Sequence, residues 1–300
     1  MVVKWNGTFS KERKLHGGGA QGSILGLWEY LIQSNDNANC VSEDYRFKFV
    51  DDLSTLEKIN LLTIGILSHN FQNSVPSDLP MHNQVVPAEN LESQRYINEI
   101  QAWTKDKKMI LNQKKTKVMI FNFSEKHQFT TRLQLEDENL EIINKTKLLG
   151  VQITDDLRWE ENTKFLVKKA FGRLELLRRV ANFSTSEADK KLIYIQYIRS
   201  ILEQSCVVWH SSLTKENSDD LERVQKCALR IILGNRYTDY ENGLKMIGLE
   251  TLEQRRINMC RKFALKSLKD EKTKSMFPLR KNKHGMKKRK DEKFAVQFAN

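Results

Sequence analysis

Cysteine is scarce in this 300-residue chain: the four, at positions 40, 206, 227 and 260, are scattered with no C-x-x-C spacing. That excludes a zinc ribbon and a disulfide framework, and the chain reads as intracellular and reduced. Proline is scarcer in effect, because three of the four (Pro76, Pro80, Pro87) fall within residues 68–90 among Ser, Asn and His, which marks a loop or linker. No uncharged apolar run approaches the roughly 18–20 residues of a membrane span. The opening "MVVKWNGTFSKERKLH" is too polar and basic to be expected as a secretory leader. Neither G-x-x-x-x-G-K-[ST] nor G-x-G-x-x-G occurs, so no standard nucleotide loop is present, and no internal repeat is visible.

What is present is positive charge. Fifty Lys and Arg against 38 Asp and Glu leave a formal net charge of +12. Such a balance favours an anionic partner, nucleic acid being the commonest, although an anionic membrane surface would also satisfy it. With 39% hydrophobic residues the length supports about two domains with real cores.

Four of the thirteen glycines lie in "HGGGAQG", residues 16–22, where the backbone can lie close to a ligand. "SILGLWEYLIQS" follows with helical spacing of Ile24, Leu27, Trp28 and Leu31, and then Tyr45, Phe47 and Phe49 alternate with charged neighbours as in a strand. "LESQRYINEIQAWTKDKKMILN" sets Leu91, Ile97, Ile100 and Trp103 on one helical face. "KTKVMIFNF" and "TKLLGVQIT" read as strands on either side of a hairpin-like stretch turning at "EDEN". Alternating strand and helix point to a mixed α/β unit.

From Trp159 onward the pattern is helical. "ENTKFLVKKAFGRLELLRRV" turns Val167, Ala170, Phe171, Leu174 and Leu177 inward and Lys164, Lys168, Lys169, Arg173, Arg178 and Arg179 outward. A second helix is predicted through "EADKKLIYIQYIRSILEQSCVVW". A third, "DDLERVQKCALRIIL", buries Leu221, Val224, Ala228 and Ile231, is capped by Asp219 and Asp220, and stops at Gly234. The tail carries Arg280, Lys281, Lys283, Lys287, Lys288, Arg289 and Lys290 and is expected to be disordered; a nuclear-import signal or a nucleic-acid arm would have this composition.

Three Asp-Asp pairs occur, and adjacent aspartates are common at turns and caps. Asp219-Asp220 reads as a cap and Asp155-Asp156 as a turn or cap before a helix. Asp51-Asp52, in "RFKFVDDLS", ends a strand and has the Gly-rich loop before it and a Trp, Asn and Lys-Thr set after it.

In this order the blocks resemble the reverse transcriptases of non-LTR (LINE-type) retrotransposons, over about residues 15–269. "GGGAQGS" is similar to their glycine-rich loop, "FVDD" to their aromatic-x-Asp-Asp hairpin, and "WTKDKKMILNQKKTKVMIF" to the helix and strand that follow. "KLLGV" is similar to the primer-grip strand pair, and "DDLRWEENTKFLVKKAFGRLELLRRV" to the opening of the helical thumb. The resemblance implies an α+β fold, an incomplete polymerase palm followed by an all-α thumb bundle, divided as a leader remnant (1–15), palm (16–155, with the linker at 68–90), thumb (156–270) and basic tail (271–300).

The function implied is RNA-directed DNA polymerisation on an RNA template and DNA primer with dNTPs, by a two-metal mechanism using Mg²⁺ or Mn²⁺. Asp51 would be the main metal ligand and Asp52 the auxiliary one, and Phe49 would pack under the template-primer. Gly18, Gly19, Gln21 and Gly22 would line the templating base and incoming nucleotide, and Lys115, with Lys117 equally placed, would protonate the leaving pyrophosphate. Leu148, Leu149 and Gly150 would form the primer grip, and Lys164, Lys168, Lys169 and Arg173 would track the nucleic-acid backbone.

Two departures stand out. Ala20 replaces the proline more typical of the loop. The family's further metal-bridging aspartate, which comes before that loop, has no counterpart here, since the first aspartate is Asp36. The 300 residues are therefore expected to bind metal weakly and polymerise little or not at all, and the alternative is a non-enzymatic basic nucleic-acid-binding remnant of a decayed element. "HGGG" also occurs in the oxyanion holes of lipases and esterases, but Ser23 in "AQGSILG" lacks the G-x-S-x-G frame that such enzymes need.

Overall fold

The computed structural model describes residues 4–11, 39, 46–49, 52–57, 59, 83–123, 128–183 and 185–274. The Gly-rich loop, the helix expected after it and the basic tail lie outside the described residues. The described part is mixed helix and strand, with small two-stranded sheets. The chain divides into two compact units, Met1–Val118 with Ser124–Ile142, and Met119–Phe123 with Ile143–Asn300.

The first unit opens with a hairpin, β1 (Lys4–Trp5) and β2 (Thr8–Phe9), turned by Asn6 and Gly7 at φ 45° and 80°. Asn-Gly is the favoured pair for such a turn, because both central residues need positive φ. A second antiparallel hairpin joins β3 (Arg46–Phe49) to β4 (Asp52–Thr55). β5 (Asn83–Val86) pairs parallel with β7 (Gln128–Thr131), and β6 (Lys117–Val118) pairs parallel with β10 (Glu141–Ile142). The linker expected at 68–90 is thus corrected over its last part, where β5 and a 3-10 turn at Ala88–Asn90 form. Its short Asn-Gln-Val-Val run is made a strand by pairing with a segment more than forty positions away, which local pattern does not reveal. The strand expected over "KTKVMIFNF" pairs only at Lys117–Val118.

Helix α1 (Glu92–Asp106) follows Leu91, whose side chain cannot cap it. The Glu57 carboxylate does so instead, accepting from Glu92 N at 3.1 Å, Ser93 N at 2.9 Å and Ser93 Oγ at 2.6 Å. A negative charge there also meets the positive end of the helix dipole. The helix buries Tyr96, Ile100 and Thr104, so its inward face is rotated from the expected set and Trp103 is only half-buried. Tyr96 can turn inward because its hydroxyl donates to Glu92 Oε2 at 2.6 Å. Val86, Leu91, Leu133, Leu135 and Leu140 form the main core of this unit, with Ile97 against them. The hairpin β8 (Gln134–Leu135) and β9 (Glu138–Asn139) turns at Glu136 and Asp137, the first two residues of "EDEN", both at positive φ.

The second unit begins with β11 (Lys145–Leu148) and β12 (Val151–Thr154), antiparallel and turned at Leu149 and Gly150, φ 47° and 88°. The run read as one strand is therefore a hairpin. Asp156 Oδ1 then accepts from Thr154 Oγ1 at 2.6 Å and Arg158 N at 2.9 Å, the Asx-type turn that leads into α2 (Glu160–Ala181). The buried Asn162 Oδ1 accepts from Gln152 N at 3.1 Å and ties hairpin to helix.

The predicted second helix is broken. It runs as α3 (Glu187–Ile193), a π-helical stretch (Tyr194–Arg199) and α4 (Ser200–Leu202), then stops before α5 (Cys206–Trp209) at Ser205, which has φ 52°. Trp209 Nε1 donates to Gln204 O at 3.0 Å and holds the break. Helix α6 (Lys215–Leu233) starts earlier than expected, because Thr214 caps it by accepting from Asn217 N at 3.2 Å. Asp219 and Asp220 therefore lie in its second turn and do not cap it, and Asp220 pairs with Arg223. The helix ends at Gly234, φ 54°. Helices α7 (Tyr240–Ile247), α8 (Leu252–Ser267) and α9 (Glu271–Lys274) complete the unit around Leu166, Ala170, Leu174, Leu177, Tyr194, Leu202, Trp209, Leu221, Val224 and Leu252.

Candidate functional site

In the β3–β4 hairpin the register pairs Arg46 with Thr55, Phe47 with Ser54, Lys48 with Leu53 and Phe49 with Asp52. Two positions, 50 and 51, separate the strands in sequence and lie outside the described residues. Asp51 is thus among the residues not described, as are Gly18, Gly19, Gln21 and Gly22. Asp52 opens β4 and is exposed. The hairpin is anchored through β4, where Leu53, next to Asp52, packs on Tyr96 and Ile100 and the chain beyond the strand supplies Glu57 to cap α1. Two adjacent carboxylates at a hairpin end are the oxygen donors that a hard divalent cation takes. Among the described residues no group of three or more His, Cys, Asp or Glu is arranged to hold a metal ion.

Of the two candidate lysines, Lys117 is engaged: it forms an ion pair with Glu141, its register partner in β10. Lys115 sits exposed in the turn after α1, its backbone N donating to Asn112 O at 3.0 Å. No carboxylate among the described residues pairs with it.

In the second unit the β11–β12 hairpin buries Val151 and half-buries Ile153, and leaves Lys145, Lys147, Leu148 and Leu149 exposed. Gly150 is favoured by its positive φ, and a Cβ there would displace the flexible amide end of the Gln204 side chain. Lys147 Nζ lies 4.8 Å from the Phe165 ring centroid on α2, and Lys169 Nζ lies 5.9 Å from it. Hairpin and helix thus share one basic face.

Along α2 all six expected basic residues are exposed. The terminal ones are neutralised locally, Lys164 by Glu160 and Glu161, and Arg178 and Arg179 by Glu175. Lys168, Lys169 and Arg173 in the middle have no carboxylate within 4.0 Å among the described residues. Four cations (Lys147 included) over one face make a positive field suited to a phosphate backbone. By contrast, the polar groove of about 1050 Å³ beside α1 mixes Arg95, Lys105 and Arg132 with Glu89, Glu136 and Asp137, and so selects no charge sign.

The bundle interior carries polar groups of another kind. Gln225 is fully buried, accepts from Tyr194 Oη, and donates to Tyr240 Oη at 2.8 Å and Glu250 O at 3.0 Å. Arg256 is also fully buried, donating to Ser218 Oγ at 2.8 Å and His210 Nδ1 at 3.4 Å. Burial pushes the Cys206 thiol up to about 11, so it stays protonated and is no nucleophile near neutral pH. These groups hold helices together and face no open site.

Comparison of the chain with protein-family models, with curated proteins and with solved structures gives no match. Among the described residues no helix is long and apolar enough to cross a membrane. Glu57 as a cap, Lys147 as part of the basic face and Gln204 over Gly150 were not singled out by sequence. Only Lys147 had a local signal, since it alternates with Thr146 and Leu148 in a strand-like run.

Proposed function

We propose that this chain carries palm and thumb segments of a non-LTR (LINE-type) retrotransposon reverse transcriptase, and that its second unit holds an RNA/DNA duplex by the phosphates. The observation that carries the reading is that "FVDD" spans the closing end of an antiparallel hairpin, with Phe49 opposite Asp52. "KLLGV" spans a second hairpin, and the unpaired cations of α2 follow it directly in the chain. In the family resembled, these are the metal-binding and primer-holding hairpins. Asp51 and Asp52 would hold Mg²⁺, which as a Lewis acid stabilises the charge that develops in nucleotidyl transfer. Lys115 stands as the proton donor to the leaving pyrophosphate, because Lys117 is engaged by Glu141.

The second reading, a basic nucleic-acid-binding remnant, draws on the same face of α2, which does not depend on Asp51. The two readings share duplex binding and differ in catalysis. Asp51 and Asp52 are two of the carboxylates used in the family, and this polypeptide is expected to bind a primed template without extending it. Primer extension on an RNA template with a DNA primer, in Mg²⁺ and then Mn²⁺, tests this against the Asp51→Ala variant. The expected result is a bound, unextended primer. Extension that depends on Asp51 would make the chain a working polymerase, and failure to bind the duplex would overturn both readings.

A further inference from the structure

Gly172 lies in the middle of α2, is exposed, and has no atom within 4 Å of the position a Cβ would take. Nothing in the described fold requires glycine there, and a mid-helix glycine lowers helix stability relative to alanine. Its neighbours on the helix surface are Lys168 and Lys169 one turn before and Glu175 and Leu176 one turn after, with Arg173 next in sequence and one turn after Lys169. The three cations are those with no carboxylate partner among the described residues, and Leu176 is 42% exposed. A bare backbone is therefore flanked by three uncompensated cations, one apolar side chain and one carboxylate, Glu175, which is itself paired with Arg178 and Arg179.

We infer that Gly172 is the point of closest approach between α2 and a nucleic-acid strand, with the sugar-phosphate backbone crossing the helix where the side chain is absent. Lys168, Lys169 and Arg173 contact flanking phosphates, and Leu176 meets a sugar face. This rests on the duplex-holding role proposed above and names its central contact. A phosphate chain is the occupant because the charge left uncompensated around Gly172 is positive, Glu175 being neutralised by Arg178 and Arg179, and backbone contacts of this kind position a duplex without reading its sequence.

The test is paired measurement of thermal stability and affinity for an RNA/DNA hybrid, using the full chain and its Gly172→Ala, Gly172→Leu and Lys168→Gln/Arg173→Gln variants. Gly172→Ala raises Tm by about 2–4 °C, as helix propensity dictates. It lowers affinity about tenfold, the equivalent of one charge-assisted hydrogen bond, and Gly172→Leu lowers it further. The double Gln variant flattens the salt dependence by about 0.7–0.9 for each phosphate it no longer neutralises. A stabilised Gly172→Ala protein that binds as tightly as the parent, while the Gln variant binds more weakly, would overturn this inference and leave the proposed function standing. Absence of parental binding would overturn both.

Discussion

Phe49 and Asp52 face each other across the last rung of the β3–β4 hairpin, on either side of positions 50 and 51. This register sets Asp52 directly before Leu53, which packs on Tyr96 and Ile100 of α1, while Glu57 beyond the strand caps that helix. A one-residue slip would turn every side chain to the opposite face.

The seat of the second hairpin depends on Gly150. Gly150→Ala puts a Cβ on a positive φ, and is expected to cost about 1–2 kcal/mol in chemical denaturation, the Gln204 amide being free to swing aside. Equal stability of the single variant and the parent would show that the turn is not held as described.

Gln225 joins the π-helical stretch, α6, α7 and the chain just before α8. Gln225→Leu keeps the volume but strands the Tyr194 hydroxyl and takes a donor from the Glu250 carbonyl, while Tyr240 Oη keeps its bond to Glu222, so a loss of about 1–3 kcal/mol is expected. Tyr194→Phe alone costs about 1–2 kcal/mol, and the two losses do not add, because they share one bond.

His210 makes the bundle acid-sensitive. Burial, and then the adjacent Arg256 guanidinium, hold its imidazole below the ordinary value, with Glu253 opposing. It accepts from Arg256 Nε and is therefore neutral in the fold. With a depressed folded pKa the unfolded chain takes up the proton more readily. Stability is thus complete above the unfolded value of about 6.5 and falls as pH drops through it toward the folded value. Denaturant midpoints from pH 7.5 to pH 5 are expected to decline in the parent and to decline less in His210→Gln. An unchanged slope in that variant would assign the sensitivity elsewhere.

Sequence was most informative where one element satisfied itself. The inward and outward faces of α2, the turn at "EDEN" and the stop at Gly234 follow from spacing and from residues that tolerate positive φ. It was least informative where a distant group decides. The cap of α1 comes from Glu57, the strand at Asn83–Val86 exists through pairing with Gln128–Thr131, and the break at Ser205 is held by Trp209. Asp219-Asp220 was misplaced because Thr214, five residues earlier, is already a sufficient cap. At the candidate site, the carboxylates and the cations of α2 were visible as residues. That Lys164, Arg178 and Arg179 are neutralised and Lys168, Lys169 and Arg173 are not depends on side-chain geometry.

The central claim is that the face formed by the β11–β12 hairpin and α2 holds a nucleic-acid duplex by its phosphates. Affinity for an RNA/DNA hybrid, measured across salt concentration for the parent and for a Lys168→Gln/Lys169→Gln/Arg173→Gln variant, tests it most directly. The account predicts a steep linear fall of log affinity with log salt in the parent, and in the variant weaker binding with a slope reduced by about 2–3. Binding that is absent, insensitive to salt, or the same in both proteins would contradict it.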